Sequence, residues 1–119
     1  MTDTPVQDYA TQRNTTQSYT QNPRERTIEA YLATQAKTRD VLCYKFSAAS
    51  VRGIPDRVLI GRTQSKTPLT IFVELKRPGE KPRLSQKQVI NTMIEHGAYV
   101  VVLSTKEEID RFFAATYDA

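Results

Sequence analysis

Two stretches of the chain decide its fold: IPDRVLI at residues 54–60 and LTIFVELK at residues 69–76. Both are rich in β-branched and aromatic residues, and a polar segment separates them. They therefore predict two antiparallel strands, over 56–60 and 69–76, joined by a turn. Asp56 opens the first strand, and Glu74 and Lys76 close the second. A hairpin of this kind brings the three charged side chains close together.

This charged cluster predicts a chemical role. Glu74 and Lys76 share one face of their strand, because alternate residues point the same way. Two carboxylates and an ammonium on an apolar hairpin are costly to place without a function. Converging carboxylates suit a hard cation such as Mg²⁺ or Mn²⁺, and a neighbouring lysine can position water or offset charge developing at phosphorus. The set indicates metal-assisted phosphodiester hydrolysis, and the spacing leaves an exposed cross-strand salt bridge as the alternative.

The rest of the chain supplies helices on either side of these strands. Asn22-Pro23 predicts a helix start, and apolar residues at helical spacing extend that helix to about Thr38. Residues 41–46 predict a strand, and the capping-box pattern SQKQ at 85–88 predicts a helix that ends near Gly97. A buried strand over 98–103 and a capped helix from Thr105 follow. The order αβββαβα indicates an α/β fold with a mixed four-stranded central sheet flanked by helices.

Length and composition bound the possible classes of protein. The chain has 119 residues, the size of one domain. Residues 1–22 are rich in Thr and Gln and poor in aliphatic residues, so we expect a flexible polar tail followed by one domain over 23–119. No nucleotide-binding glycine motif occurs, and a single Cys43 and a single His96 cannot build a structural zinc site or a disulfide. Neither a membrane-length apolar run nor a signal peptide is visible, so we expect a cytoplasmic protein.

The positive charge is concentrated in the middle of the chain. The formal net charge is +4 overall, but residues 37–87 hold 12 basic and four acidic side chains, whereas the segments on either side are net negative. Such a distribution suits a polyanion whose phosphates Lys and Arg neutralise, and a solvated basic surface is the alternative reading.

Three sequence blocks together resemble a known family. They are GIPDR at 53–57, FVELK at 72–76 and LSQKQ at 84–88, preceded by a helix with the pattern E-x-x-I at 25–28. In this order the blocks resemble the VRR-NUC (virus-type replication-repair nuclease) branch of the PD-(D/E)xK superfamily, whose stand-alone members are phage or bacterial. The likeness covers about residues 24–113. It implies a restriction-endonuclease-like fold and a Mg²⁺- or Mn²⁺-dependent DNA endonuclease acting in replication, recombination or repair.

The resemblance also implies roles for particular residues. Asp56 and Glu74 match the metal ligands, together with the backbone carbonyl of Leu75, and Lys76 matches the catalytic lysine. Gln88 matches the family glutamine, which could hold a water or a phosphate; as the fourth residue of a capping box it would instead bond the backbone at Ser85.

A glutamate of the first helix completes the metal site in many superfamily members. Glu25 fits the family spacing best, although stabilising the helix N-terminus is its other reading. Glu29 lies one turn away on the same face, so the sequence does not separate the two. Phosphate contacts, or ordinary surface positions, are expected for the basic residues around the site, namely Lys45, Arg52, Arg57, Arg77, Lys81, Arg83 and Lys87.

The expected partner is DNA. No base-reading element is evident, so we expect recognition of structure, with Holliday junctions first and flaps second. A domain of this size would need a two-fold homodimer to cut both strands or resolve a junction. Two alternatives remain open at this point: a catalytically silent DNA-binding module on the same fold, and a basic α/β adaptor for RNA or protein.

Overall fold

The computed structural model describes residues 7–8 and 25–119, and the side chains of residues 27–119. Among these residues no helix has the length and apolar character to span a membrane. The elements, in chain order, are β1 (Gln7–Asp8), α1 (Glu25–Thr38), β2 (Leu42–Lys45), β3 (Arg57–Arg62), β4 (Pro68–Leu75), α2 (Leu84–Glu95), β5 (Tyr99–Leu103) and α3 (Lys106–Thr116).

The mixed sheet flanked by helices is confirmed. Its strand order is β1-β5-β4-β3-β2, with β2, β3 and β4 antiparallel and β5 parallel to β4. A fifth strand, β1, adds to the predicted four by pairing in parallel with β5. Four strands alone would leave β5 at the edge, and an edge strand offers backbone hydrogen bonds that a partner can use without any apolar pattern. The predicted flexible tail lies outside the described residues, except for β1.

One face of the sheet carries most of the core. Helices α1 and α3 cover it, and the buried side chains are Ile28, Leu32, Ala36, Val41, Leu59, Ile71, Val73, Leu75, Val101, Leu103, Ile109, Phe112 and Phe113. Alternation along β4 sends Ile71, Val73 and Leu75 into this core and turns Glu74 to the opposite face. The capping box at Thr105 is confirmed and fixes the start of α3, because Thr105 Oγ1 accepts from the Glu108 amide at 3.1 Å.

The other face is only partly covered. Helix α2 packs Ile90 against Val100 and Val102, with Phe72 and Met93 at the margin of this small cluster. No helix among the described residues covers the part of this face formed by β2 and β3, where Leu42, Tyr44 and Ile60 are 49%, 54% and 40% exposed. The sheet thus separates a thick core on one side from a small cluster and the charged residues of β4 on the other.

Helix α2 begins earlier than its sequence pattern predicted. Ser85 is not the N-cap; Arg83 is, and the side-chain oxygen of Gln86 accepts a hydrogen bond from the Arg83 amide at 2.9 Å. The capping box is therefore closed by Gln86 and not by Gln88. This shift decides which glutamine faces the sheet.

Candidate active site

Asp56 is fixed to the end of β4. It lies half-buried just before β3, and its Oδ2 accepts a hydrogen bond from the Leu75 amide at 3.1 Å. Burial raises the pKa of Asp56, while the Leu75 amide and the charges of Arg57 and Lys76 act in the opposite direction. The carboxylate is thus bonded to the residue that separates Glu74 from Lys76, as the hairpin pattern predicted.

Glu74, Lys76 and Gln86 form one hydrogen-bonded network on the α2 side of the sheet. Glu74 is 2% exposed, and its Oε2 accepts from Gln86 Nε2 at 3.0 Å and lies 3.3 Å from Lys76 Nζ. Lys76 Nζ donates to Gln86 Oε1 at 2.7 Å. Only this orientation of the amide satisfies every partner, because the reverse would turn its NH₂ toward the ammonium and toward the Arg83 amide. The ammonium of Lys76 is thereby held beside a buried carboxylate.

A close backbone contact holds Gln86 in place. Gly53, in the loop before Asp56, has a φ of +84°, and a Cβ built there would lie 3.0 Å from Gln86 Cα and 3.2 Å from the Ser85 carbonyl oxygen. Only glycine combines this φ with this approach at little cost. The loop that carries Asp56 therefore rests directly on the first turn of α2, which carries Gln86.

A second ion pair supports the site from the other face of the sheet. Arg57 Nη2 lies 2.8 Å from Glu29 Oε1, and Arg57 Nη1 donates to the Asp56 carbonyl at 3.2 Å. The negative charge of Glu29 also contributes to the raised pKa of Asp56. Helix α1 is in this way tied to the residue next to Asp56.

Some predicted site residues fall elsewhere. Gln88 is exposed on α2, so the structure puts Gln86 beside Glu74 in the position expected for Gln88. Arg57 is 9% exposed and its guanidinium is paired with Glu29, so the structure does not place it at the surface with the other predicted DNA contacts. The side chain of Glu25, the candidate third ligand, lies outside the described residues.

The remaining basic residues lie at the surface. All six are exposed: Lys45, Arg52, Arg77, Lys81, Arg83 and Lys87. Four of them, from Arg77 to Lys87, belong to the segment that connects β4 to α2 and to the first turn of α2. These charges therefore adjoin the network of Glu74, Lys76 and Gln86.

The donor chemistry fits a hard divalent cation. Asp56 and Glu74 supply carboxylate oxygens, the ligands that Mg²⁺ and Mn²⁺ prefer, and both lie within bonding reach of the strand end that also carries the Leu75 carbonyl. Within residues 27–119, no three acidic, histidine or cysteine side chains group together as a complete set of metal ligands. Protein side chains from this region thus provide two carboxylates.

Comparison with known proteins bears on this geometry. No protein-family model matches the chain. A protein described as "Putative nuclease p44", from Acyrthosiphon pisum secondary endosymbiont phage 1, is 36% identical over 84 residues, which cover 71% of this chain and 86% of that protein. A solved structure described as a VRR_NUC domain superposes with a TM-score of 0.67, covering 75% of this chain and 92% of that chain at 23% identity. The chain belongs to the VRR-NUC family.

Membership of the VRR-NUC family agrees with the restriction-endonuclease-like α/β fold described above. At 23% identity the structural match supports the fold, and the phage relative links the sequence to nucleases. The VRR-NUC blocks at 53–57, 72–76 and 84–88 meet around Asp56, Glu74 and Gln86. Of the residues in this cluster, Gln86 is the one to which sequence reasoning assigned no role.

Proposed function

We propose that this VRR-NUC domain is a Mg²⁺- or Mn²⁺-dependent DNA endonuclease. The observation that carries the proposal is the strand end at 74–76, where the Leu75 amide holds Asp56 and the two flanking side chains share Gln86. An ordinary surface salt bridge would not bury one carboxylate to 2% exposure. A buried charged network next to an exposed basic surface is typical of a reaction site on a polyanion.

Asp56 and Glu74, with the Leu75 carbonyl, would hold the metal ion, and Glu25 or Glu29 is the candidate for a further ligand from α1. A divalent ion at such a site supplies Lewis acidity toward a phosphate oxygen and lowers the pKa of water. The Leu75 amide keeps the Asp56 carboxylate oriented, and burial keeps bulk water from competing with it.

Lys76 is the proposed catalytic lysine. Gln86 and Glu74 fix its ammonium on the α2 face, where it can offset negative charge that develops on phosphorus or orient an attacking water. Gln86 then acts as a positioning residue, because its amide binds both neighbours at once. Because the network is assembled within the fold, little reorganisation is required when a phosphate arrives.

DNA is the proposed substrate, held by the exposed cations around the site. Affinity carried by such contacts depends on the phosphate backbone and falls as salt rises. We propose that the enzyme is selective for branched DNA, a Holliday junction or a flap, and that it acts as a homodimer, because paired cuts on two strands require two sites related by symmetry.

The experiment that tests the function is a cleavage assay on linear, flap and four-way DNA with Mg²⁺, Mn²⁺ or EDTA. We expect metal-dependent cuts in the wild type and none in Glu74→Gln. The matched control is Glu80→Gln, which removes the same charge from an exposed residue of the segment between β4 and α2.

Binding without metal-dependent cleavage by the wild type would favour the catalytically silent module. Equal cleavage by wild type and Glu74→Gln would show that the active site lies elsewhere. Cleavage of linear duplex as fast as branched DNA would refute the proposed selectivity while leaving the nuclease assignment intact.

A further inference from the structure

A part of the sheet next to the proposed active site carries apolar side chains with no cover among the described residues. We call this part of the sheet the open face. Its side chains lie on the face that α2 packs against, in a region that α2 does not reach, and they are Leu42, Tyr44, Val58, Ile60, Arg62 and Thr70. Tyr44 is 54% exposed there, with Leu42 and Ile60 beside it at 49% and 40%. Large apolar side chains that lie exposed side by side, as these three do, are a mark of a contact surface.

The open face is continuous with the site. Tyr44 stands opposite Val58, Val58 stands opposite Phe72, and Phe72 precedes Glu74 by one alternation on the same face of β4. Tyr44 and Glu74 are separated by two strand spacings of about 4.8 Å across the sheet and by two residues, about 6.7 Å, along the strand. Their Cα atoms therefore lie about 12 Å apart. A stacked nucleic-acid strand covers that distance in roughly three to four nucleotides, at about 3.4 Å each.

The chemistry of the open face favours nucleobases. Bases are flat and apolar on their faces, and an exposed tyrosine ring can stack on any of them without reading sequence. A cation lies at each end of the face: Arg62 is exposed at the far end, and Lys76, paired with the buried Glu74, lies toward the site. The phosphates of a strand several nucleotides long that runs along the face would meet these cations, whereas a purely apolar partner would make no use of them.

We propose that Tyr44 is a base-stacking residue that binds an unpaired nucleotide of the DNA close to the phosphate being cut. The proposal rests on the proposed nuclease function and names what distinguishes its substrate: a single-stranded segment beside the cleaved bond. Paired bases are stacked within a duplex and expose only their edges, so Tyr44 selects DNA with an unpaired nucleotide at this position. Leu42 and Ile60 provide the apolar surround, and Arg62 a phosphate contact.

The test measures binding without cleavage. Wild type, Tyr44→Ala and Tyr44→Phe are titrated, in EDTA, with a fluorescently labelled thymidine 20-mer and with a 20-mer of the same phosphate number made of abasic sites. Tyr31→Ala is the matched control, because it removes the same ring from α1, on the opposite face of the sheet. Thermal melts establish that every variant is folded.

We expect Tyr44→Ala to bind the thymidine oligonucleotide at least about 5-fold more weakly than wild type, since stacking on one aromatic side chain is worth about that much or more. Tyr44→Phe should retain the affinity, because the ring remains. The abasic oligonucleotide should bind equally to all variants, and Tyr31→Ala should differ from wild type by less than about 2-fold on either oligonucleotide.

An equal loss on thymidine and abasic DNA would overturn the proposal, since the residue would then act through the backbone. A Tyr44→Ala protein that binds normally but changes mass in sedimentation would also overturn it and assign the open face to a second copy of the chain. The binding assay measures no cleavage, so the two proposals can fail separately. If the wild type cuts no DNA in the cleavage assay, and Tyr44→Ala still loses base-dependent binding, the nuclease function is refuted and this inference is not.

Discussion

Replacing Gly53 with alanine tests how the site is assembled. The residue has a φ of +84°, and the added Cβ would sit 3.0 Å from Gln86 Cα, tighter than nine in ten real Cβ contacts. The left-handed conformation costs an alanine about 1–2 kcal/mol, partly offset by about 0.4–1 kcal/mol because alanine has less freedom in the unfolded chain. Crowding against backbone adds about 1–3 kcal/mol, since a helix turn cannot move aside as a side chain can. We expect a net loss of about 2–4 kcal/mol.

Gly97 is the matched control for this substitution. It also has a positive φ, +100°, but a Cβ there would meet nothing within 4 Å. Gly97→Ala therefore carries the conformational cost alone, and we expect a loss of about 1 kcal/mol or less. Urea unfolding of the two variants measures the difference, and each kcal/mol should also lower Tm by about 4–8 °C in a domain of this size.

Cleavage assays complete this experiment. The alanine at Gly53 pushes on the turn that carries Gln86, so we expect cleavage by Gly53→Ala to fall at least 10-fold under conditions where it is still folded, while Gly97→Ala cleaves at the wild-type rate. If the two variants lose the same free energy of unfolding, the contact between Gly53 and α2 is not close in solution. The account of how Gln86 is positioned would then be wrong.

Four further predictions address single features. Lys76→Met should cleave no DNA yet bind it within about 2-fold of wild type in filter binding at equal salt, because one lysine contributes little to total phosphate affinity; wild-type turnover would contradict its catalytic role. Gln86→Leu should slow cleavage at least 10-fold and Gln88→Leu should not, and the reverse result would restore the assignment made from sequence. Asp56→Asn in EDTA should unfold at a higher urea concentration than wild type at pH 7.5. Burial raises the pKa of the Asp56 carboxyl above 3.8, so the stability of the wild type falls as pH rises through the folded-state pKa. The difference in stability between the two proteins should vanish below pH 3.8, and a difference that stays constant with pH would show that ionisation is not the cause. Deleting residues 1–22 should lower the free energy of unfolding, measured in urea, by about 3 kcal/mol at most, because only the backbone hydrogen bonds of the two-residue strand β1 to β5 are lost. A shortened chain that no longer folds would refute the division into a tail and a domain.

The strands and the acidic pair could be predicted because their signals are local. A strand with period-two alternation fixes which residues share a face, so Glu74 and Lys76 follow from the sequence once the strand is recognised. Asp56 joins them because the antiparallel pairing of β3 with β4 returns the chain to the same end of the sheet. Both steps need only the hairpin and no knowledge of the helices.

The glutamine could not be chosen this way, because a two-residue error in a helix start, about half a turn, changes which side chain faces the sheet. Serine is a common N-cap and arginine is not, so the sequence predicted Ser85 as the N-cap of α2, whereas the N-cap is Arg83. The deciding contact is tertiary: Gly53 rests on α2 more than 30 positions later in the chain. A glycine two residues before Pro55 was the available signal, because a required glycine often marks a close approach of backbone.

Arg57 and Tyr44 illustrate a second limit. Sequence indicates that both lie in strands, but not which neighbours cover them. The guanidinium of Arg57 forms an ion pair with Glu29 of α1 and is buried, whereas no described element covers the ring of Tyr44. Burial of a strand residue depends on where the helices pack, and this depends on the whole chain.

The uneven sheet has a consequence for how this protein can diverge. Among residues 27–119, 13 buried side chains form the core shared by α1 and α3, whereas three form the cluster under α2. Substitutions on the α2 side therefore put a small part of the folding free energy at risk, while they alter the surface that we propose meets the substrate. Residues of the open face and of the segment before α2 can therefore be substituted many times during evolution while the protein keeps enough free energy of unfolding to stay folded. Substrate preference can thus drift quickly over a scaffold that stays almost unchanged.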